Sequence, residues 1–208
     1  ITINRDTLWF DTVFTNTNST APKSVNKQIL VYNPYDQRIK TSIRLGGGSN
    51  SHFRLNVDGE AGSSFSDIEL YPNDSIFLFV EVHPDPNNNS PDFNPLIIRD
   101  SILFNTNGNE SKTMLIGWGQ DAHYIFRDSI ETDTTWSNNK LPIVVYGYCY
   151  VKPGVNLTIE EGMNIHFAPR SWLFVEGKID IKGKVDNPVL MQGDRLQPSW
   201  EEESGQWG

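Results

Sequence analysis

The last quarter of the chain carries a rhythm: "LTIEEGMNIHFAPRSWLFVEGKIDIKGKVDNPVLMQ". Apolar pairs separated by one residue fall at Leu157/Ile159, Ile165/Phe167 and Leu173/Val175, then at Ile179/Ile181 and Val189/Met191. In an extended strand, residues two apart share a face, so each pair marks a short strand with one buried side. Leu157/Ile159 and Ile179/Ile181 stand 22 residues apart, and Ile165/Phe167 and Val189/Met191 stand 24 apart, with three pairs inside one period. A period in this range with three short strands per turn is the signature of a right-handed parallel β-helix. Gly162, Gly177 and Gly183 fall between the strands, where the chain has to bend. A meander of antiparallel hairpins is the alternative the same spacing allows.

A single coil cannot cover its own apolar end faces, and about three are needed for an independent core. Fewer than two fit between Leu157 and Met191. The polar stretch "QGDRLQPSWEEESG" then reads as an insertion, with Trp207 beginning the next strand, so the stack is expected to be the truncated start of a longer one. "LPIVVYGYCYV" is expected to form the first, capping coil, with Tyr146, Tyr148 and Tyr150 over its open end.

Residues 1–120 alternate differently. "RIKTSIRL" sets Ile39, Thr41, Ile43 and Leu45 against Lys40, Ser42 and Arg44, and "HFRLNV" repeats the pattern. "SIFLFVEV" is apolar on both faces, as a central strand would be. Turn chemistries such as "NPYD", "GGGSN", "DGEAG" and "NTNGNES" separate the strands, and no helical periodicity appears. Several short strands with such turns predict a β-sandwich. Its expected core is Phe10, Ile29, Val31, Ile43, Phe53, Leu55, Ile76, Leu78, Val80, Ile98, Phe104 and Ile116. Residues 121–140 are polar and unpatterned and read as a linker, and 141–208 as the β-helical coils.

The segments "FRLNVDG", "IELYPNDSIFLFVEV" and "GWGQDA", with "LTIEEGMNIHF", "VEGKIDIKGKVDNPVLMQGDR" and "GQWG", resemble a group of Gram-negative bacterial surface proteins, often lipoproteins. Those proteins carry an N-terminal immunoglobulin-like sandwich followed by a right-handed parallel β-helix. The resemblance implies the same all-β architecture, export, and an extracellular or outer-membrane location. It implies no catalytic residue.

Chemistry is sparse. His52, His83, His123 and His166 show no metal-protease spacing, and His166, between Ile165 and Phe167, is expected on the surface. "GGGSN" lacks the Lys-Ser/Thr of a phosphate loop and the closing Gly of a nucleophile elbow, so Gly46–Gly48 read as a flexible hairpin turn. Asp85-x-Asn87-x-Asn89 begins like a calcium loop, but Ser90 and Leu96 stand where Gly and Glu belong. Only a weak site on Asp85 and Asp92 is left open. Cys149, the single cysteine, has no identifiable base and reads as a small strand residue. Trp136, Trp172, Trp200 and Trp207 are of a type that stacks on sugar rings, Trp172 facing outward if its register holds. No catalytic, cofactor-binding or metal-ligating residue is assigned, and no cofactor is expected. A net charge of −9 without a basic cluster argues against nucleic acid, and no apolar run approaches a membrane span. The expected function is a non-enzymatic spacer, adhesion or binding platform, its partner a surface glycan or another surface protein. The alternative is the N-terminal accessory region of a secreted polysaccharide-degrading β-helix enzyme.

Overall fold

The computed structural model describes residues 1–15, 26–86, 95–137, 141–200 and 203–207, and its architecture is all-β. The described residues separate into two compact units, one of residues up to Gly119 and the other of residues from Gln120 onward.

The first unit holds two five-stranded sheets. One runs β1 (Thr2–Ile3), β3 (Lys27–Tyr32), β8 (Ser75–Val82), β5 (Phe53–Val57) and β6 (Glu60–Gly62). The other runs β2 (Thr7–Phe14), β10 (Asn109–Gln120), β9 (Leu96–Thr106), β4 (Ile39–Leu45) and β7 (Ser64–Leu70). Pairings such as β3 with β8, β4 with β9 and β9 with β10 are antiparallel. Asp58-Gly59 and Asn107-Gly108, all at positive φ, close the two-residue hairpins β5–β6 and β9–β10. One core joins both sheets through Phe10, Ile29, Ile43, Phe53, Leu78, Val80 and Phe104, with Phe10 and Phe53 at 5.5 Å.

Buried polar groups fix the connections. Asn33 is fully buried: its Nδ2 donates to the carbonyls of Gln37 (2.8 Å), Tyr71 (2.9 Å) and Leu70 (3.2 Å), and its Oδ1 accepts from Tyr35 N–H (3.1 Å). The Gly46–Gly48 segment is not a hairpin turn, because it carries the chain from β4 in one sheet to β5 in the other. Asp100 pins it, accepting from Gly47 N–H at 3.0 Å and from the Ser51 hydroxyl.

Two core expectations fail here, and one strand is central as expected but covered on one face only. Ile116 is not in the core; Leu115 is, fully buried. The inward positions after Leu115 are Gly117 and Gly119, where a Cβ would meet Phe10 Cβ at 3.2 Å and Pro84 Cβ at 2.9 Å. The apolar residues at 114, 116 and 118 thus occupy the opposite face. Ile76 packs at the edge of the core, only partly buried. β8 is central in its sheet, yet Phe77 and Phe79 on its second face are exposed.

The second unit is built from parallel pairings. Its strands are β11 (His123–Ile130), β12 (Thr134–Trp136), β13 (Ile143–Val151), β14 (Asn156–Ile159), β15 (Asn164–Phe167), β16 (Trp172–Val175), β17 (Lys178–Ile181) and β18 (Leu190–Gly193). They stand in three columns: β11–β13–β15–β18, then the second halves of β11 and β13 with β16, then β12–β14–β17. Leu157 pairs with Ile179 and Ile159 with Ile181, the register the apolar pairs predict. Antiparallel hairpins do not occur among these strands. The core cluster includes Trp136, Val145, Val151, Leu157, Ile159, Ile165 and Phe167.

Differences from expectation follow from chain irregularities. The 121–140 segment is no linker: β11 and β12 lie in it, and β13 is therefore the second layer, not a capping first coil. The alternation of β11 is masked by a register shift at Arg127, which sits at φ 46. Gly147 (φ 81) and Arg170 (φ 60) mark the same bend between the first two columns in the next layers. Ile165 pairs with Met191 and Phe167 with Gly193, so β18 lies two residues beyond the expected 189/191 pair. The turn Lys182–Pro188 before it is closed by Lys184 and Asn187, whose N–H groups bond reciprocally to each other's carbonyls, and lengthens that layer. Trp207 begins no strand; its ring stacks on Phe167 at 4.5 Å and 17°.

Candidate functional site: an outward aromatic face

The parallel columns set the geometry of the second unit's surface. In a parallel ladder, residues facing the same way on adjacent strands lie about 4.8 Å apart, so like side chains form rows across layers. On β11, β13 and β16 the residues pointing away from the core are largely aromatic. Phe126 pairs with Tyr146, and their rings stack at 5.0 Å and 14°. Tyr124 joins them, 6.1 Å from Phe126. Beyond the Gly147 bend, Tyr148 pairs with Trp172 and Tyr150 with Phe174, while Trp172 and Phe174 lie 6.1 Å apart. Tyr146, Tyr148 and Tyr150 thus line this face and do not cover an open end.

Exposure differs along the face. Beyond the Gly147 bend Tyr148 (38%), Trp172 (42%) and Phe174 (54%) keep large exposed fractions; before it Tyr124 and Tyr146 are partly buried and Phe126 (43%) is exposed. Beside the part beyond the bend lies a cleft of about 450 Å³ lined by Ser129, Tyr148, Tyr150, Phe174, Val175 and Glu176. Glu176 follows β16 directly and is held by its N–H bond to the Val151 carbonyl at 3.0 Å. Its carboxylate accepts a hydrogen bond from the Tyr150 hydroxyl, and that bond, with burial and the neighbouring charge, raises the phenol above its ordinary range. The cleft therefore combines aromatic rings with a carboxylate and hydroxyls.

The remaining candidates disperse. Trp136 is buried in the core, and Trp200 carries the Arg195 guanidinium over its ring at 4.3 Å. Of the four tryptophans singled out from sequence, only Trp172 faces outward on a strand. The aromatic partners on β11 and β13 carry the face with it, and their signal is the aromatic alternation of "HYIF" and "YGYCY". His166 is buried, not on the surface. Its Nδ1 bonds the Gly193 carbonyl at 2.8 Å, and burial holds its pKa below the ordinary value. Cys149 is buried in the core, and burial, with the Asp128 carboxylate adding to it, pushes its thiol up to about 11, the opposite of an activated nucleophile. Asp85 faces His52, whose Nδ1 lies 3.6 Å from its carboxylate, while Asp92 lies outside the described residues. Among the described residues no three His, Cys, Asp or Glu side chains cluster as metal ligands, and no helix is long and apolar enough to cross a membrane.

A second aromatic pair lies on the first unit, where exposed Trp9 stacks with Trp118 at 6.1 Å and 20°. The cleft next to Trp9 is lined by apolar residues including Leu30 and Phe77 and by polar and basic groups including Arg5 and Lys27.

No protein-family model and no curated protein matches the chain. Solved structures that it is similar to include a family 123 glycoside hydrolase from Clostridium perfringens, studied for glycolipid glycan hydrolysis, at TM-score 0.39 and 9% identity. That match covers 59% of this chain and 26% of the hydrolase, so this chain spans about a quarter of that protein's length. The CooA pilin subunit of enterotoxigenic Escherichia coli gives TM-score 0.34 at 6% identity, over 55% of this chain and 89% of the pilin. The YadV chaperone gives 0.32 at 7%, over 58% and 51%. At these scores the likeness does not extend to activity.

Proposed function

We propose that this chain is a non-enzymatic module of a cell-surface or secreted protein. In this reading the first unit is an immunoglobulin-like β-sandwich acting as a spacer. The second is a right-handed parallel β-helix that serves as a binding platform. The observation that carries the reading is the registration of the parallel columns, which turns outward side chains into ordered rows. One row is Thr135, Thr158 and Asp180; another is Ser129, Tyr150 and Phe174. Rows of hydroxyl and aromatic groups suit adhesion to an extended partner.

Surface biotinylation of intact cells that produce the native protein tests the location. Labelling without lysis is expected; labelling only after lysis would sink the surface assignment. Incubation with polysaccharides, followed by measurement of newly formed reducing ends, tests the non-enzymatic part. Steady release of chain ends would favour an accessory region of a degrading enzyme.

A further inference from the structure

The part of the aromatic face beyond the Gly147 bend is a site for a neutral glycan, we propose, with Trp172 and Phe174 stacking on sugar rings and Glu176 accepting hydrogen bonds from sugar hydroxyls. This rests on the binding-platform reading and names its ligand class. Three observations select that class. First, Tyr148, Trp172 and Phe174 expose ring faces on one side of two paired strands, in rows fixed by backbone register. Apolar C–H faces of pyranose rings stack on such surfaces, and the fixed strands hold the rings at little entropic cost. Second, the cleft beside them, about 450 Å³, has the size of a small-ligand site and is edged by hydroxyls and a carboxylate. A polyhydroxy ligand uses both kinds of surface. Third, the charge of the cleft lining disfavours acidic polymers. Glu176 is the one charged residue lining the cleft, and the chain carries −9 overall. Uronate-rich or sulfated glycans, nucleic acid and anionic lipid would all meet repulsion there.

Affinity electrophoresis of the full chain tests this. Native gels would contain hydroxyethyl cellulose, mixed-linkage β-glucan, galactomannan or xyloglucan, with polygalacturonate as the acidic comparison. Retardation by at least one neutral polymer is expected, unchanged in 1 M salt, and none by polygalacturonate. Trp172→Ala and Phe174→Ala should each weaken the retardation about tenfold, the size of a lost stacking contact. Both side chains are exposed, so the folded state should persist; the salt independence of the unmodified chain provides a readout that needs no variant. Glu176→Gln should weaken binding less than either. Absence of retardation by all four neutral polymers overturns the proposal, as does retardation that survives both aromatic substitutions. A dimer in sedimentation that Phe174→Ala dissociates would overturn it in favour of a protein contact. Surface biotinylation reads separately: labelled cells with unretarded protein would remove the glycan and leave the surface module.

Discussion

Gly177→Ala probes the stacking of the second unit's layers directly. A Cβ on Gly177 would run into the carbonyl oxygens of Val155 and Lys152 in the preceding layer, with the Val155 carbonyl carbon at 3.2 Å. These are backbone atoms, so no rotamer change relieves the clash; the turn Lys152–Val155 has to move away. That turn accepts the Lys178 N–H at the Val155 carbonyl (2.8 Å), while Gly177 N–H bonds the Val151 carbonyl at 3.2 Å. Overpacking of this kind costs about 1–3 kcal/mol, and weakening two backbone hydrogen bonds adds about 1 kcal/mol each. The expected loss is about 3–5 kcal/mol, on the order of a hundredfold or more in local opening. Gly154 supplies the internal control. It lies in the same turn at φ 79 with no atom within 4 Å of its Cβ position, so Gly154→Ala costs only left-handed strain, about 1 kcal/mol. Hydrogen exchange read on peptides covering 150–160 distinguishes the two, with peptides from β4 and β5 of the first unit as the unchanged reference. Exchange in Gly177→Ala should rise far above that in Gly154→Ala. Equal rates, or a larger effect at Gly154, would refute the parallel contact between these layers.

Asn33→Ala strips donors from three carbonyls and the acceptor from Tyr35 N–H, so a loss of about 2–4 kcal/mol and a clearly lower melting temperature are expected in thermal denaturation. His166 gives a pH dependence. Its folded pKa lies below the ordinary 6.5, so its contribution is complete above that value. As pH falls through 6.5 the unfolded chain takes up a proton the folded one refuses, and stability drops until the lowered folded pKa is reached. Melting curves from pH 8 to 5 should converge for wild type and His166→Asn; parallel curves would contradict the assignment. Cys149, with its thiol pushed up to about 11, should resist iodoacetamide at pH 8 in the folded chain and react on addition of denaturant, as mass spectrometry of alkylated peptides would register.

Legibility in the sequence followed the regularity of the backbone. Leu157, Ile159, Ile179 and Ile181 were readable because no irregularity lies inside their strands, so alternation and period coincide with register. Where one residue leaves the extended region, the pattern loses phase: Arg127 hides β11, and the Lys182–Pro188 turn moves β18 by two. On β10 the inward positions are glycines, selected by space around Phe10 and Pro84, and a reading based on apolar side chains cannot register a missing one. Alternation alone misplaces His166, because it gives direction and says nothing of cover. The aromatic face was half visible. Trp172 stands out by type, but its company of Tyr148, Tyr150 and Phe174 arises from pairing between strands 24 residues apart in sequence (172 − 148), which local pattern does not encode.

The left-handed bend between the first two columns has a wider consequence. At Gly147 it is a single residue between Tyr146 and Tyr148, while in the next layer the chain takes Ala168 to Ser171 to make the same passage. The strands on either side still pair in register with β13. Length is thus absorbed at the corners and withheld from the walls. A scaffold of this kind can acquire loops of varied size and composition at its bends, one layer at a time, while the spacing of whatever its walls display stays fixed by the backbone.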